Sequence, residues 1–351
     1  MSQHRAPSIQ DVAAAAGVST ATVSRVLNSP ALVSQETAER VRQAIQKLGY
    51  RPNLFAQGLM TRKSRVLGIA LPDIHGEFYS ELLRGADEEA HKLRYHLLVG
   101  TEARQGDPPE NGDASGFAHA FGLLDGLAVM ITEPNDRLWK EAATSSLPVV
   151  VLDADVDNPG VDCVLVDNAV GTREAVEHLL ASVQPGHLYF VGGPSENYDT
   201  RRRAETFQEV VRATGVTLRP DQLAFGQYAV EWGYAWAMEK NRSGGEKGGL
   251  VNAGVLAAND EIALGILQAA QDAGVGVPSQ LKIVGFDDTR VASLVRPALS
   301  SVRVPLAEVG AAAIDTLVRR VDDPGRPATK TRLATKLVVR ESSGWERGQA
   351  G

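Results

Sequence analysis

Cysteine is nearly absent from this chain. Cys163 stands alone among 351 residues, so no disulfide framework holds the fold, and a lone thiol fits a reducing cytoplasm. Such a cysteine is ordinarily a small core hydrophobe rather than a nucleophile. Long apolar runs are missing as well. No stretch reaches the roughly 18 apolar residues that a membrane-spanning helix needs, and Met1 to Pro7 lacks the apolar stretch of a secretory signal. The motifs of common enzymes are also absent: no His-Glu-x-x-His, no paired Cys-x-x-Cys and no phosphate loop ending in Gly-Lys-Ser/Thr. Gly274-Val275-Gly276 leads into a proline rather than a helix, so it is no dinucleotide fingerprint. Gly193-Pro194-Ser195 lacks the second glycine of a nucleophile elbow. The expectation is a chain without catalysis, metal or resident cofactor.

What is present is an uneven charge. The whole chain carries −7, which by itself argues against a nucleic-acid partner. Residues 1–65, however, hold nine Lys/Arg (Arg5, Arg25, Arg40, Arg42, Lys47, Arg51, Arg62, Lys63 and Arg65) against Asp11, Glu36 and Glu39. The negative charge therefore belongs to the rest of the chain. A basic head on an acidic body is the electrostatic pattern of a DNA-binding module.

The head reads as three short helices. Ser8 is placed to cap a first helix from Ile9, with Asp11 in its first turn, and Gly17 ends it. Ser19 is a second N-cap, opening a helix through Asn28 that Pro30 terminates. Its apolar face is Val23, Val26 and Leu27. Ser34 caps a third helix with Val41, Ile45 and Leu48 at helical spacing before Gly49. Two short helices joined at a glycine make a helix-turn-helix. The second begins with small polar residues, so it fits a major groove. Thr20 and Ala21 are suited to base edges or thymine methyls, and Arg25 to guanine O6 and N7 or to a phosphate.

The stretch Ile9-Gln10-Asp11-Val12-Ala13, Ala16-Gly17-Val18-Ser19 and Thr22-Val23-Ser24-Arg25-Val26-Leu27-Asn28 resembles the head of the lactose-repressor (LacI/GalR) family. The resemblance adds Ser19, Thr22, Ser24 and Asn28 to the DNA-contacting set. It continues through Pro52-Asn53-Leu54-Phe55-Ala56-Gln57-Gly58-Leu59, which is similar to the family's hinge helix. That segment is too short, and Gly58 too unfavourable, for a helix that stands alone. The resemblance implies that it orders on DNA beside its twin in a second subunit, with Asn53 and Ala56 at the DNA and Leu59 wedged into a minor-groove step. Met60 stands where the family usually has a basic residue.

From Val66 onward, short apolar runs alternate with amphipathic stretches. The runs at 66–71, 96–99, 126–131, 149–152, 188–191, 255–257 and 282–286 read as strands; 78–93, 172–180 and 203–213 read as helices. Such alternation implies parallel sheets covered by helices, divided over two lobes. Ligands in such sheets sit at strand C-terminal ends, where Asp153, Asn259 and Asp287 fall. The family resemblance, carried by Val284-Gly285-Phe286-Asp287-Asp288 among other pieces, implies a periplasmic-binding-protein-like body. Its interlobe cleft would hold an effector between Arg203, Asn259 and Asp287, a wall of Phe78 and Tyr79, and a stacking ring at Tyr228. Thr206 replaces the glycine usual before Phe207.

The resulting expectation is a cytoplasmic homodimer with no membrane association. It has a helix-turn-helix head over 1–50, a hinge over 51–64, an effector and dimerisation body over 65–341, and a flexible tail over 342–351. Its partners are double-stranded operator DNA and a small molecule, a sugar or sugar derivative, and its activity is that of an effector-controlled repressor. A solute-binding protein would lack the basic head, and an α/β enzyme would show turnover with ATP or a nicotinamide cofactor.

Overall fold

The computed structural model describes residues 7–28, 30–50, 63–101, 117–133, 137–156, 158, 160–243 and 249–344. The chain divides into two compact units, Met1–Arg65 and Val66–Gly351.

In the first unit, helices α1 (Ile9–Ala16), α2 (Thr20–Asn28) and α3 (Gln35–Leu48) form where the capping residues place them. Ser8 Oγ accepts from the Asp11 amide while Asp11 reaches back to the Ser8 amide, a complete capping box. Gly17 leaves α1 at φ +65°, the left-handed turn a glycine adopts without steric penalty. Ser19 accepts from the Thr22 amide at 3.2 Å, and Ser34 from that of Thr37 at 3.4 Å. Val12, Ala13, Ala16, Val23, Val26, Ala38, Val41 and Ala44 form the small core. Burying the apolar face of α2 turns Ser19, Thr20, Ala21 and Arg25 outward to solvent.

The second unit contains two six-stranded sheets. The first runs β11-β5-β4-β3-β1-β2, all parallel: β1 (Val66–Leu71), β2 (His96–Thr101), β3 (Gly126–Met130), β4 (Val149–Leu152), β5 (Asp162–Asp167) and β11 (Lys330–Ala334). The second runs β12-β10-β9-β8-β6-β7: β6 (Leu188–Gly192), β7 (Leu223–Phe225), β8 (Ala253–Ala257), β9 (Leu281–Asp287), β10 (Ser300–Arg303) and β12 (Lys336–Val338), with β12 antiparallel at the edge. Around them lie α4 (Gly76–Lys92), α5 (Arg137–Thr144), α6 (Asn168–Leu180), α7 (Tyr198–Ala213), α8 (Val230–Ser243), α9 (Asp260–Asp272), α10 (Arg290–Leu294) and α11 (Leu306–Asp322).

Each sheet with its helices is one lobe. The chain crosses between them after β5, after β10, and directly from β11 to β12, so the first lobe is finished by residues far along the sequence. In each lobe one helix pair packs backbone to backbone. A Cβ on Gly310 of α11 would lie 2.0 Å from the Leu82 carbonyl oxygen in α4, and one on Gly265 of α9 would lie 2.0 Å from that of Val230 in α8.

Two expectations need correction here. The tail does not begin at residue 342: Ser342 and Ser343 are buried. The Ser342 hydroxyl donates to the Ile283 carbonyl at 2.6 Å, and Ser343 Oγ pairs with His178 Nε2 at 2.7 Å. The helices of the body also start earlier than their apolar patterns do, at 76, 168 and 198. Trp232 and Trp236 lie on one face of α8, the first donating to the Gly192 carbonyl at 3.0 Å and the second edge-on to Tyr189.

Candidate functional site

Between the lobes lies a cavity of about 250 Å3. Its walls are the C-terminal ends of β1, β4 and β9 and the first turns of α4, α7 and α9. All seven body residues singled out from the sequence, Phe78, Tyr79, Asp153, Arg203, Tyr228, Asn259 and Asp287, line it.

The strand-end acids are held in backbone conformations that side chains seldom adopt. Asp153 has φ +63°, Asp287 φ +98° and Asp288 φ +53°. Such geometry costs on the order of 1–3 kcal/mol per residue and persists only where the surroundings enforce it. At Asp288 the Arg303 and Arg340 guanidiniums hold the carboxylate at 2.7 and 2.6 Å, and Ser301 Oγ accepts from its amide at 3.0 Å. Asp287 thereby points its carboxyl into the cavity. Its Oδ1 and that of Asp153 are buried and make no hydrogen bond.

Arg203 is buried, with only 3% of its surface exposed, so it is not the surface ion pair that its place on a polar helix would allow. Its Nε donates to Asn168 Oδ1 at 2.7 Å, Nη1 to the Ala258 carbonyl and Nη2 to Asp199 Oδ2 at 3.1 Å. Asn168 Nδ2 closes the triangle on Asp199 Oδ1 at 2.7 Å. The guanidinium carbon lies 3.7 Å from the centre of the Phe286 ring, a cation–π contact that braces it from one face. Burial by itself would lower the Arg203 pKa. Asp199, Tyr228, Asp287 and Asp153 outweigh it, and the net shift is upward.

The two cavity acids are pushed the other way from an ordinary surface carboxylate. Burial raises Asp287 to about 8; Arg203 pulls against this, while Asp260, Asp199 and Glu261 add to it. Asp153 rises well above the usual carboxylate range, first through burial and then through Asp199. A neutral carboxyl both donates and accepts, as a hydroxyl does.

Asn259 is an N-cap: its Oδ1 accepts from the Ile262 amide at 2.9 Å. It therefore caps α9 and stands in the cavity wall at once. Tyr228 lies against Gly193, where any Cβ would come within 2.6 Å of the ring. Its hydroxyl pairs with Thr200 Oγ1 at 2.6 Å and donates to Asn197 Oδ1 at 3.1 Å. Phe78 and Tyr79 meet edge to face, with centroids 5.1 Å apart.

The cavity also takes in Asp73, Thr132, Asn197, Asp199 and Glu261, which sequence reasoning missed. Two signals were available. Asp73 lies two residues past the end of β1, the same rule that picks out Asp153. Asp199 stands four residues before Arg203 on one helix, the spacing of a helical ion pair.

In the head, Ser19, Thr20, Ala21, Thr22, Ser24 and Arg25 share the first two turns of α2 or its cap, and Asn28 ends that helix. Asn53, Ala56 and Leu59 lie outside the described residues. Among the described residues no cluster of His, Cys, Asp and Glu has the arrangement of a metal site, and no helix is long and apolar enough to cross a membrane.

Residues 8–53 match the model of the bacterial regulatory proteins of the lacI family, and residues 176–343 match that of a periplasmic binding protein-like domain. The chain is 30% identical over 336 residues to catabolite control protein A of Priestia megaterium, covering 95% of this chain and 98% of that one. It is 32% identical to the Staphylococcus xylosus protein of the same name, covering 90% and 92%. Among solved structures it is similar to the lac repressor dimer bound to operator and the anti-inducer ONPF, with TM-score 0.81, 26% identity, and 97% and 99% of the chains covered. It is also similar to the transcriptional regulator CelR in complex with cellobiose, with TM-score 0.71, 26% identity, and 96% and 100% covered. The family consists of regulators, not enzymes. The capped helix-turn-helix, the two-lobed body and relatives matched along nearly their full length place this chain in the lacI family, as a DNA-binding transcriptional regulator with an effector-binding fold.

Proposed function

We propose that this protein is a repressor whose operator affinity is set by a small molecule, a sugar or sugar derivative, held in the cavity between the lobes. The observation that carries this reading is the pair of buried, unbonded carboxyl oxygens of Asp153 and Asp287. A buried polar group without a partner is costly in a native fold, and a ligand hydroxyl removes that cost. The remaining N–H groups of Arg203 and the amide of Asn259 supply donors, and Phe78, Tyr79 and Tyr228 supply faces for the C–H side of a sugar ring. The lac repressor dimer bound to operator and the anti-inducer ONPF, and the CelR–cellobiose complex, support the same assignment.

The protein acts in the cytoplasm as a homodimer on a pseudo-palindromic operator, each head placing α2 in a major groove. The first two turns of that helix make the base and phosphate contacts, and residues 51–64 form the hinge, with Asn53 and Ala56 at the DNA and Leu59 at a minor-groove step. Effector binding shifts the population between two lobe arrangements, only one of which suits both heads to the operator.

The test is operator binding by the purified protein with and without a panel of sugars. Asp287→Ala should keep operator affinity within about twofold while losing the effector response, a coupling ordinarily of about 5- to 150-fold. A normal response in that variant would remove Asp287 from the site.

A further inference from the structure

The cleft has a second compartment. Next to the inner cavity, and sharing Phe78, Asn259, Glu261 and Asp287 with it, lies a larger space of about 470 Å3. Phe78, Val230, Leu264 and Val291 give it an apolar wall, and Glu77, Glu231 and Glu261 rim it.

Three helices, α4, α8 and α9, begin at this wall. Helix N-termini ordinarily attract phosphates and carboxylates, through unpaired N–H groups and the helix dipole. Here each of these ends already carries the chain's own acid in its first turn: Glu77 on α4, Glu231 on α8, Asp260 and Glu261 on α9. The lobes even exchange them. Glu77 of the first lobe accepts from the Arg290 amide of the second at 2.8 Å. Glu261 of the second reaches back, its Oε1 3.4 Å from where a Cβ on Gly76 would lie, at the start of α4. Asp260 accepts from the Thr289 amide and hydroxyl at 2.7 and 2.8 Å.

Cations do not balance this. Among the described residues lining the two compartments, the one guanidinium or ammonium group is that of Arg203, and all three of its nitrogens already donate within the protein. Burial, followed by repulsion from Glu231 and Asp73, also pushes Glu261 upward. The fully buried side-chain atoms left without partners in this lining are carboxyl oxygens: Oδ1 of Asp153, and Oδ1 of Asp287, a residue only 7% exposed.

We infer that the cleft is built against anions: its effector is a polyhydroxyl compound that offers hydroxyl or ammonium donors and bears no phosphate or carboxylate, and Glu77, Glu231 and Glu261 are the residues that reject charged analogues. This rests on the effector reading above and narrows it. Facing like charges are how an interface excludes a wrong partner of the right shape.

The experiment uses the full-length protein, with operator affinity and melting temperature as readouts. The probes are cellobiose, lactose, maltose and trehalose, each beside its 6-phosphate, together with glucosamine. A low-molecular-weight extract of the producing cells, split on an anion exchanger into unretained and retained fractions, extends the panel. The expected result is a response to an uncharged or amino compound or to the unretained fraction, with any phosphorylated partner weaker by at least about tenfold. Glu231→Gln combined with Glu261→Gln should narrow that gap. A phosphorylated probe binding as tightly as its parent, or a response confined to the retained fraction, would overturn the inference while leaving the effector reading intact. No response to any probe or either fraction would overturn the effector reading itself, and this inference with it.

Discussion

Asp287 concentrates the conflict between stability and function in one side chain. It is buried, held at φ +98°, and leaves one oxygen without a partner. Its carboxyl titrates near 8 in the folded chain against an ordinary 3.8. Below about pH 4 the group is neutral in both states and its ionisation does not affect stability. As pH rises towards 8 the unfolded chain loses this proton while the folded one retains it, so stability falls across that window and levels off above it. Asn tolerates positive φ better than most residues and never ionises. Asp287→Asn should therefore melt close to the parent near pH 4 and at least ~2 °C above it at pH 8, measured by calorimetry. A difference that stays constant across the window would mean that Asp287 is not the titrating group. At this scale the sequence was informative but incomplete. The rule that ligands sit at strand ends finds Asp153 and Asp287 and equally covers Asp73. Asp199 and Glu261 lie in helical first turns, where an acid is equally well explained by the helix dipole.

At the scale of elements, apolar runs made β1 to β4, β6, β8 and β9 legible. The remaining strands were not. β10 contains Ser300 and Ser301, which are fully buried because their hydroxyls are bonded: Ser301 donates to Asp260 at 2.6 Å, and Ser300 pairs with Ser343 at 2.6 Å. β11 is a largely exposed edge strand with no apolar run. β5 starts at Asp162, buried against Arg320 at 2.9 Å, so an acid stands where a pattern search expects a loop. Helix pairing was equally invisible, because it depends on which glycines face each other. Gly310→Ala would place a methyl 2.0 Å from the Leu82 carbonyl oxygen. Overpacking of about 1–3 kcal/mol outweighs a helix-propensity gain of about 1 kcal/mol. The expected outcome is a lower urea midpoint for the variant; an unchanged or higher midpoint would show that the pair α4 and α11 can separate without penalty.

Over the whole molecule, charge is divided between a basic head and an acidic body whose cleft is lined by carboxylates. The two binding events should therefore respond differently to salt. Operator binding releases counterions, and a protein making about 6–10 phosphate contacts loses roughly 10³–10⁵ in affinity between 50 and 200 mM salt. An uncharged effector should change by less than about twofold over the same range. Titrating each ligand at both salt concentrations checks this. A steep salt dependence of effector binding would indicate a charged ligand.

What the sequence determined on its own was local or periodic. Capping serines and Gly17 set the head's helices, since an N-cap acts within three residues of itself. Apolar runs marked the central strands, since burial on both faces leaves no polar position, and the cluster of Lys/Arg before residue 66 marked the DNA-facing module. Tertiary structure decided what depends on residues distant in the chain. β11 and β12 complete different lobes, because successive strands cross the cleft. Arg203 became buried because Asn168, Asp199 and the Ala258 carbonyl converge on it. Asp153 and Asp287 each keep one oxygen without a partner because the fold surrounds them with acids and, among the described residues of the lining, offers one guanidinium, already engaged elsewhere.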